Sequence, residues 1–340
     1  METLNDIRAL EVNFEIARLY DLRHDSDAAH RHFVEGNAIQ ARGRAARDTD
    51  RRVFLDVIDH TSRVLTAEWI DSWRSASRTT TSSSAASGPV FMVGFPRSGT
   101  TLIDQMLDSH PDFQVMDERP ALDRVSQAVA GMAGGYPGAL ADLDEAAVEE
   151  LRAAYFEAVD QFIDRRPGAI LVDKFPLAMR HAALIARLFP DCRIILSMRH
   201  PCDVVLSCFM QHFSLNEAMV NFFSISDSAR TYGRVMGLWR RSVALLPLNV
   251  HTVKYESLVD DFEAELRRLL DFLDVPWDDA VLDYRGHAKR RGVINTPSYQ
   301  QVTEPIYRRA AGRWKRYKAY LAPVMDDLAP FMEAFGYNES

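Results

Sequence analysis

The chain has little cysteine, no long apolar run and no excess of positive charge. Only three of its 340 residues are cysteine, Cys192, Cys202 and Cys208. An odd count at spacings that fit no zinc ligand set argues against a disulfide framework and points to a reducing compartment, with all three thiols as small buried apolar groups. No apolar stretch approaches the roughly 20 residues of a membrane-spanning helix. The first residues, METLNDIRALEVNF, place acids early and lack the basic-then-apolar order of a secretory leader, so a cytoplasmic protein is expected. With 40 Lys and Arg against 48 Asp and Glu, the net charge is -8. That balance excludes the electropositive surface of a non-specific nucleic-acid binder, while leaving room for a local basic pocket. What remains is ordinary for a soluble globular protein: 47% hydrophobic and 26% charged residues, enough chain for one large α/β domain and a smaller attachment.

Residues 1–75 read as a helical region. Ala29 and Phe33 follow a polar turn at His24 to Asp27 with the spacing of one tetratricopeptide helix-turn-helix repeat. One hairpin cannot bury its own apolar face, so it must pack on the main domain, on a protein partner, or on further repeats. RRVFLDVIDHTSRVLTAEWIDSW reads as one further helix. Residues 76–89 are Ser/Thr-rich with almost no apolar bulk, a linker that marks the domain boundary. From 90 to 340, strands alternate with helices. PVFMVGF, AILVDK, CRIILSMRH and NVHTVKYESLV each supply a strand, and the helix after the third starts near Pro201. This alternation predicts an α/β fold with a doubly wound parallel sheet, whose ligands gather at the carboxyl ends of the strands. Arg97, Lys174, Arg199 and Tyr255 stand at those ends.

Between the first strand and its helix lies Gly94-Phe-Pro-Arg-Ser-Gly99-Thr100-Thr101. The glycine spacing is that of a P-loop, which turns backbone N–H groups and a helix N-terminus toward an oxyanion. Thr100 occupies the place of the motif lysine, and a cation, Arg97, sits inside the loop instead. A nucleotide triphosphatase or kinase relies on that lysine and on magnesium. An arginine fork with two threonine hydroxyls suits a phosphate or sulfonate group without a metal. Asp173 is the one strand-borne acid that keeps a magnesium-dependent kinase or nucleotide hydrolase in view. A non-catalytic nucleotide-binding scaffold is a third reading.

These residues resemble the sulfotransferase superfamily, in particular the tyrosylprotein sulfotransferases and their bacterial relatives with tetratricopeptide repeats. Pro96 to Thr101 match the family's Pro-Arg-Ser-Gly-Thr-Thr loop for the 5′-phosphosulfate. LSMRHPCDVVLS matches its second signature, an arginine at a strand end and a serine eight residues later, here Arg199 and Ser207. The resemblance runs from about Val90 to the carboxyl end and thins over Val125 to Asp164 and Phe209 to Arg240. It implies 3′-phosphoadenosine 5′-phosphosulfate as donor, 3′-phosphoadenosine 5′-phosphate as product, no metal, and a hydroxyl of a sugar, peptide or small molecule as acceptor. By the same resemblance Arg97, Ser98, Gly99, Thr100 and Thr101 hold the phosphosulfate, Arg199 and Ser207 the 3′-phosphate, and Tyr255 lies near the adenosine. Arg290, Arg291 and Gly292 close over the 3′-phosphate, and Ser298 lies near the reaction site. Glu118, in VMDERP, falls on the family's base and Lys174 on its transition-state lysine, with Arg97 on the other side of the sulfonate. Asp117 is expected to diverge from Glu118, as neighbouring side chains usually do. His110 is the alternative base, although a helix C-terminus also explains it. Glu304 replaces a lysine usual in tyrosylprotein sulfotransferases, which argues against an acidic-peptide acceptor. Trp314 and Lys315 belong to the same closing segment or begin the last helix, and His200 has no role that the sequence supplies.

Overall fold

The computed structural model describes residues 4–76, 88–284, 286 and 310–337. Arg290, Arg291, Gly292, Ser298 and Glu304 fall outside the described residues, as does nearly all of the Ser/Thr-rich stretch. Cα proximity groups the chain into two compact units. One comprises Met1–Asp59, Arg199–Gly237 and Arg308–Ser340; the other comprises His60–Met198 and Leu238–Tyr307.

The second unit is built on five parallel strands: β1 (Val90–Gly94), β2 (Phe113–Asp117), β3 (Ile170–Lys174), β4 (Arg193–Met198) and β5 (Asn249–Lys254), in the order β2-β3-β1-β4-β5. Every residue of β1 is buried, as expected of a central strand covered on both faces. On one face, Val90 and Met92 of β1 and Val115 of β2 pack against Met106 and Leu107 of α6 (Thr100–Ser109) and Leu269 and Leu270 of α13 (Phe262–Phe272). On the other face Phe91 meets Tyr155 of α8 (Glu145–Asp160) and Phe189, ring to ring at 5.9 and 5.6 Å. Helices on both faces make the sheet doubly wound, the architecture predicted from the alternation of strands and helices. The sequence reading counts four strands; β2 is the fifth. Its core-facing Phe113 and Val115 alternate with Gln114, a short half-polar pattern easily read as loop.

The first unit opens with α1 (Leu4–Leu22) and α2 (Ser26–Arg42), joined by a tight turn in which His24 takes a positive φ of 64°. Asp25 caps α2, its carboxylate accepting from the Ala28 N–H at 3.0 Å. Ala29 and Phe33 are buried, as their spacing predicts. Within this unit Asn37 donates to the Phe209 carbonyl at the end of α10 (Pro201–Phe209), and Gln40 donates to the Phe213 carbonyl. Asp21, the acid before the turn, receives Arg313, Arg316 and the Tyr317 hydroxyl. The hairpin thus packs against residues 209–213 and 313–317 of the same unit, the latter gathered on Asp21.

The segment read as one helix over 51–73 is two, α4 (Arg51–Val64) and α5 (Ala67–Ala76). Thr66 breaks it by accepting the Trp69 N–H on its hydroxyl at 3.2 Å, restarting the helix as a cap. The three cysteines are buried and form no disulfide among the described residues. No helix among the described residues is long and apolar enough to cross a membrane.

Candidate active site

The phosphate loop joins β1 to α6. Its backbone is held open in two left-handed positions, Arg97 (φ 70°) and Gly99 (φ 108°), a conformation that turns successive N–H groups toward one side. A Cβ on Gly99 would stand 2.8 Å from the Tyr255 ring, and one on Gly94 would stand 2.6 Å from the Ser197 carbonyl oxygen. Both glycines therefore serve close approach, and the approach at Gly99 brings Tyr255 of α12 (Tyr255–Asp260) against the loop. Ser197 donates its hydroxyl to the Ser98 carbonyl at 3.1 Å, tying the loop to the end of β4. Thr100 and Thr101 open α6, both buried. The Ser98 hydroxyl oxygen is buried with no hydrogen-bond partner among the described residues, an arrangement that costs free energy unless an anion or another acceptor uses it. The loop fits an oxyanion on these grounds.

Beside the loop, at the ends of β2 and β3, lies a charged cluster. Parallel register sets Asp117 opposite Lys174, and the Glu118 N–H donates to the Lys174 carbonyl at 2.8 Å. Lys174 is fully buried, and its Nζ donates to Asp117 Oδ1 at 2.5 Å and Glu118 Oε1 at 2.9 Å. Asp104 of α6, equally buried, brings Oδ2 to 3.2 Å from the same nitrogen, close enough for an ion pair. Burial would lower the ammonium's pKa, but the carboxylates of Asp104, Glu118 and Asp117 outweigh it and hold the pKa above the ordinary lysine value. The lysine therefore stays cationic at any working pH.

Asp117 and Glu118 converge, contrary to the sequence expectation. The reason is the left-handed φ of 48° at Glu118, which breaks strand alternation where β2 ends and swings the second carboxylate back to the first one's side. Asp104 was invisible to motif reading, although it lies one helical turn beyond Thr100 and so on the same face of α6. That periodicity is the signal that could have found it.

Downstream of the cluster, Asp123 of α7 (Ala121–Ala130) accepts from Arg180 at 2.5 Å and lies 2.8 Å from His181 Nε2. This ties the segment after Glu118 to the segment after Lys174. Burial, reinforced by Arg180, holds the His181 imidazole down to about 4, so it acts as a neutral bridge. His110 terminates α6. Its Nδ1 accepts from the Asp112 N–H at 3.1 Å and its Nε2 lies 3.0 Å from the Pro276 carbonyl. One ring nitrogen is thus engaged by the turn that follows α6 and the other by a distant carbonyl. Asp173 points to the other face of the sheet, where the Tyr155 hydroxyl donates to it at 2.8 Å.

In the first unit, Arg199 follows directly on β4 and is nearly buried, with Nη2 donating to the Ala310 carbonyl at 2.5 Å. Ser207 lies buried on α10. Asp203, on the same helix, accepts the backbone N–H groups of Gly312 and Trp314 at 2.7 and 2.8 Å. Trp314 is thereby held in a 3-10 turn (Arg313–Tyr317) at the start of the last helical segment, and Lys315 lies in the same turn. His200 caps α10 by accepting the Cys202 N–H at 3.2 Å and stacks on Trp314, a pair of roles that the sequence does not reveal.

A model of the sulfotransferase family matches residues 89–279, more than half of the chain and all of the elements carrying this cluster. The chain belongs to the sulfotransferase family. An uncharacterized protein of Aquifex aeolicus (strain VF5) is 27% identical to this chain over 326 residues, covering 93% of the chain and 41% of its own length. The protein-tyrosine sulfotransferase of Drosophila melanogaster is 28% identical over 266 residues, covering 73% of the chain and 51% of its own length. The chain thus spans about half or less of the length of these two relatives. Among solved structures, the sulfotransferase domain from the curacin biosynthetic pathway superposes with a TM-score of 0.53 at 19% identity, covering 74% of this chain and 98% of that domain. This likeness extends the agreement to the fold.

Proposed function

We propose that this sulfotransferase moves a sulfuryl group in line from 3′-phosphoadenosine 5′-phosphosulfate to an acceptor hydroxyl, without a metal. The observation that carries the reading is the meeting of Glu118 and Lys174 at the strand ends beside a phosphate loop that lacks its lysine. In this reading Arg97, Ser98, Gly99, Thr100 and Thr101 hold the phosphosulfate. Tyr255 lines the adenosine side, and Arg199 and Ser207 take the 3′-phosphate, with Arg291 and Ser298 as further donor contacts. The acceptor oxygen bonds to sulfur as the bond from sulfur to the 5′-phosphate oxygen breaks, and the acceptor proton passes to Glu118. Lys174 and Arg97 offset the charge that grows on the departing phosphate and on the sulfonate.

The kinase alternative is weakened by Asp173, whose carboxylate turns into an aromatic layer on the face of the sheet opposite Lys174. Relatives named protein-tyrosine sulfotransferases make a peptide tyrosine the first acceptor to assay, with sugars and small hydroxyl compounds beside it. We take 1–75 as a helical region whose repeat packs on its own chain or on a protein partner, 76–89 as linker and 90–340 as the sulfotransferase domain of a cytoplasmic enzyme.

The test is thermal shift with 3′-phosphoadenosine 5′-phosphate, AMP and ATP at equal concentration, each with and without EDTA. The doubly phosphorylated nucleotide should raise the melting temperature most, because it alone fills both anion sites, and EDTA should leave that shift intact. Equal shifts from AMP would sink the two-site reading. A shift by ATP that appears only with magnesium would favour the kinase.

A further inference from the structure

We propose that Asp104 and Asp117 are positioning residues: together they hold the Lys174 ammonium, so that Glu118 can leave it to take the acceptor's proton. The inference deepens the proposed transfer and rests on that reading for its kinetic half. An ammonium has three N–H bonds and needs one negative charge for balance. Lys174 has three carboxylates around it, at 2.5, 2.9 and 3.2 Å. Their side chains are graded in exposure: 0% for Asp104, 13% for Asp117 and 35% for Glu118. Two buried acids already exceed the charge of the cation, and the third stands at the rim.

That gradation separates the roles. Were Glu118 the sole partner, moving it toward an acceptor would strand an unpaired ammonium in a fully buried site, a state proteins avoid. With Asp104 and Asp117 in place, Glu118 departs from a cation that stays compensated. Asp104 is also fixed independently, since Gln105 donates to its other oxygen at 2.5 Å. Asp117 is fixed by the strand register that sets it beside Lys174. Neither aspartate has the freedom to follow a substrate, whereas Glu118 sits at the rim, beyond the last residue of β2.

Two measurements test this on the full chain. The first needs no ligand: NMR of protein labelled with 15N-lysine, following the Lys174 ammonium protons at low temperature. A slowly exchanging signal should be present in wild type and in Glu118→Gln, and lost in Asp104→Asn and in Asp117→Asn. Should the wholly buried Asp104→Asn fail to fold, Asp117→Asn carries the same expectation at a less buried position. Absence of the signal from wild type, or its loss in Glu118→Gln with retention in the aspartate variants, overturns the proposal.

The second is kinetic. Either aspartate variant leaves one aspartate on Lys174, so the ammonium holds Glu118 more tightly and kcat should fall about tenfold, a fraction of what a positioned base contributes. The calorimetric Kd for 3′-phosphoadenosine 5′-phosphate should tighten about three- to tenfold, because a negative charge near an anion site has gone. A merely loosened site would weaken both together, and that result also overturns the proposal. No binding of this nucleotide by wild-type protein would instead sink the donor reading and leave the ammonium result to decide on its own.

Discussion

On one face of β3 Lys174 gathers three carboxylates; on the other, one residue earlier, Asp173 has a phenol for its partner and aromatic rings around it. Two of these acids, Asp104 and Asp173, are buried almost completely, yet they meet the cost of burial differently. Asp104 is placed against a cation. Asp173 has no cation in contact among the described residues, and burial pushes its carboxyl up to about 7, with the Tyr155 hydrogen bond pulling the other way. A buried acid keeps its charge where a counter-ion is built in and tends to keep its proton where only a neutral donor is offered. The strand's two-residue period converts adjacent positions into these two environments. The charged side is the one that shares its sheet edge with the phosphate loop.

The sharpest way to break this comparison is at Glu118, the exposed member of the charged face. Glu118→Gln is nearly isosteric but cannot accept a proton as a carboxylate does. Single-turnover transfer should fall by about 10²–10⁴-fold, while donor affinity measured by calorimetry stays level or improves slightly. Near-normal turnover would remove Glu118 as base.

Next comes Lys174→Ala, which leaves three carboxylates without their cation. It should cost about 3–5 kcal/mol of stability by denaturant titration and lower both turnover and donor affinity. A variant as stable as wild type would show that the cluster relaxes freely.

The neutral face is probed by Asp173→Asn. The folded-state pKa of Asp173 lies above its ordinary value of 3.8. The acid's contribution is therefore fully present below about 4 and is lost as pH rises through about 7. Asn cannot ionise, so the variant should gain on wild type by about 1–3 kcal/mol between pH 5 and pH 8, read as the difference between their unfolding free energies. A difference independent of pH would mean that Asp173 is charged throughout. The smallest effect belongs to Tyr155→Phe, which removes the hydroxyl donated to Asp173. It should destabilise by about 1 kcal/mol and leave the variant's stability falling more steeply than that of wild type between pH 5 and pH 8, because the bond favours the carboxylate. No change in slope would show that the hydroxyl does not discriminate between the two protonation states.

The parallel sheet and the loop were legible because they rest on local chemistry. Apolar strand followed by Gly94, Gly99 and an amphipathic helix specifies a phosphate-binding turn through backbone conformation alone, and the structure puts Gly99 at φ 108° in that turn. The boundary between α4 and α5 depends on one threonine competing for a backbone donor, too weak a signal to overrule a continuous helical pattern. β2 was hidden by its polar alternation.

What the sequence by itself determined is therefore the set of elements and the chemistry of the loop: interactions between residues a few positions apart, encoded by glycine placement, periodicity and charge. The convergence of residues 104, 117 and 118 on residue 174 was decided only by the tertiary structure. It depends on β2 pairing with β3 in the register that aligns Asp117 with Lys174, and on α6 lying across that edge. It depends also on a single left-handed φ turning Glu118 inward. Periodicity tells which face of an element a side chain occupies. Which distant face it meets is set by strand pairing and helix packing, because charges tens of residues apart come into contact only after the chain between them has been folded away.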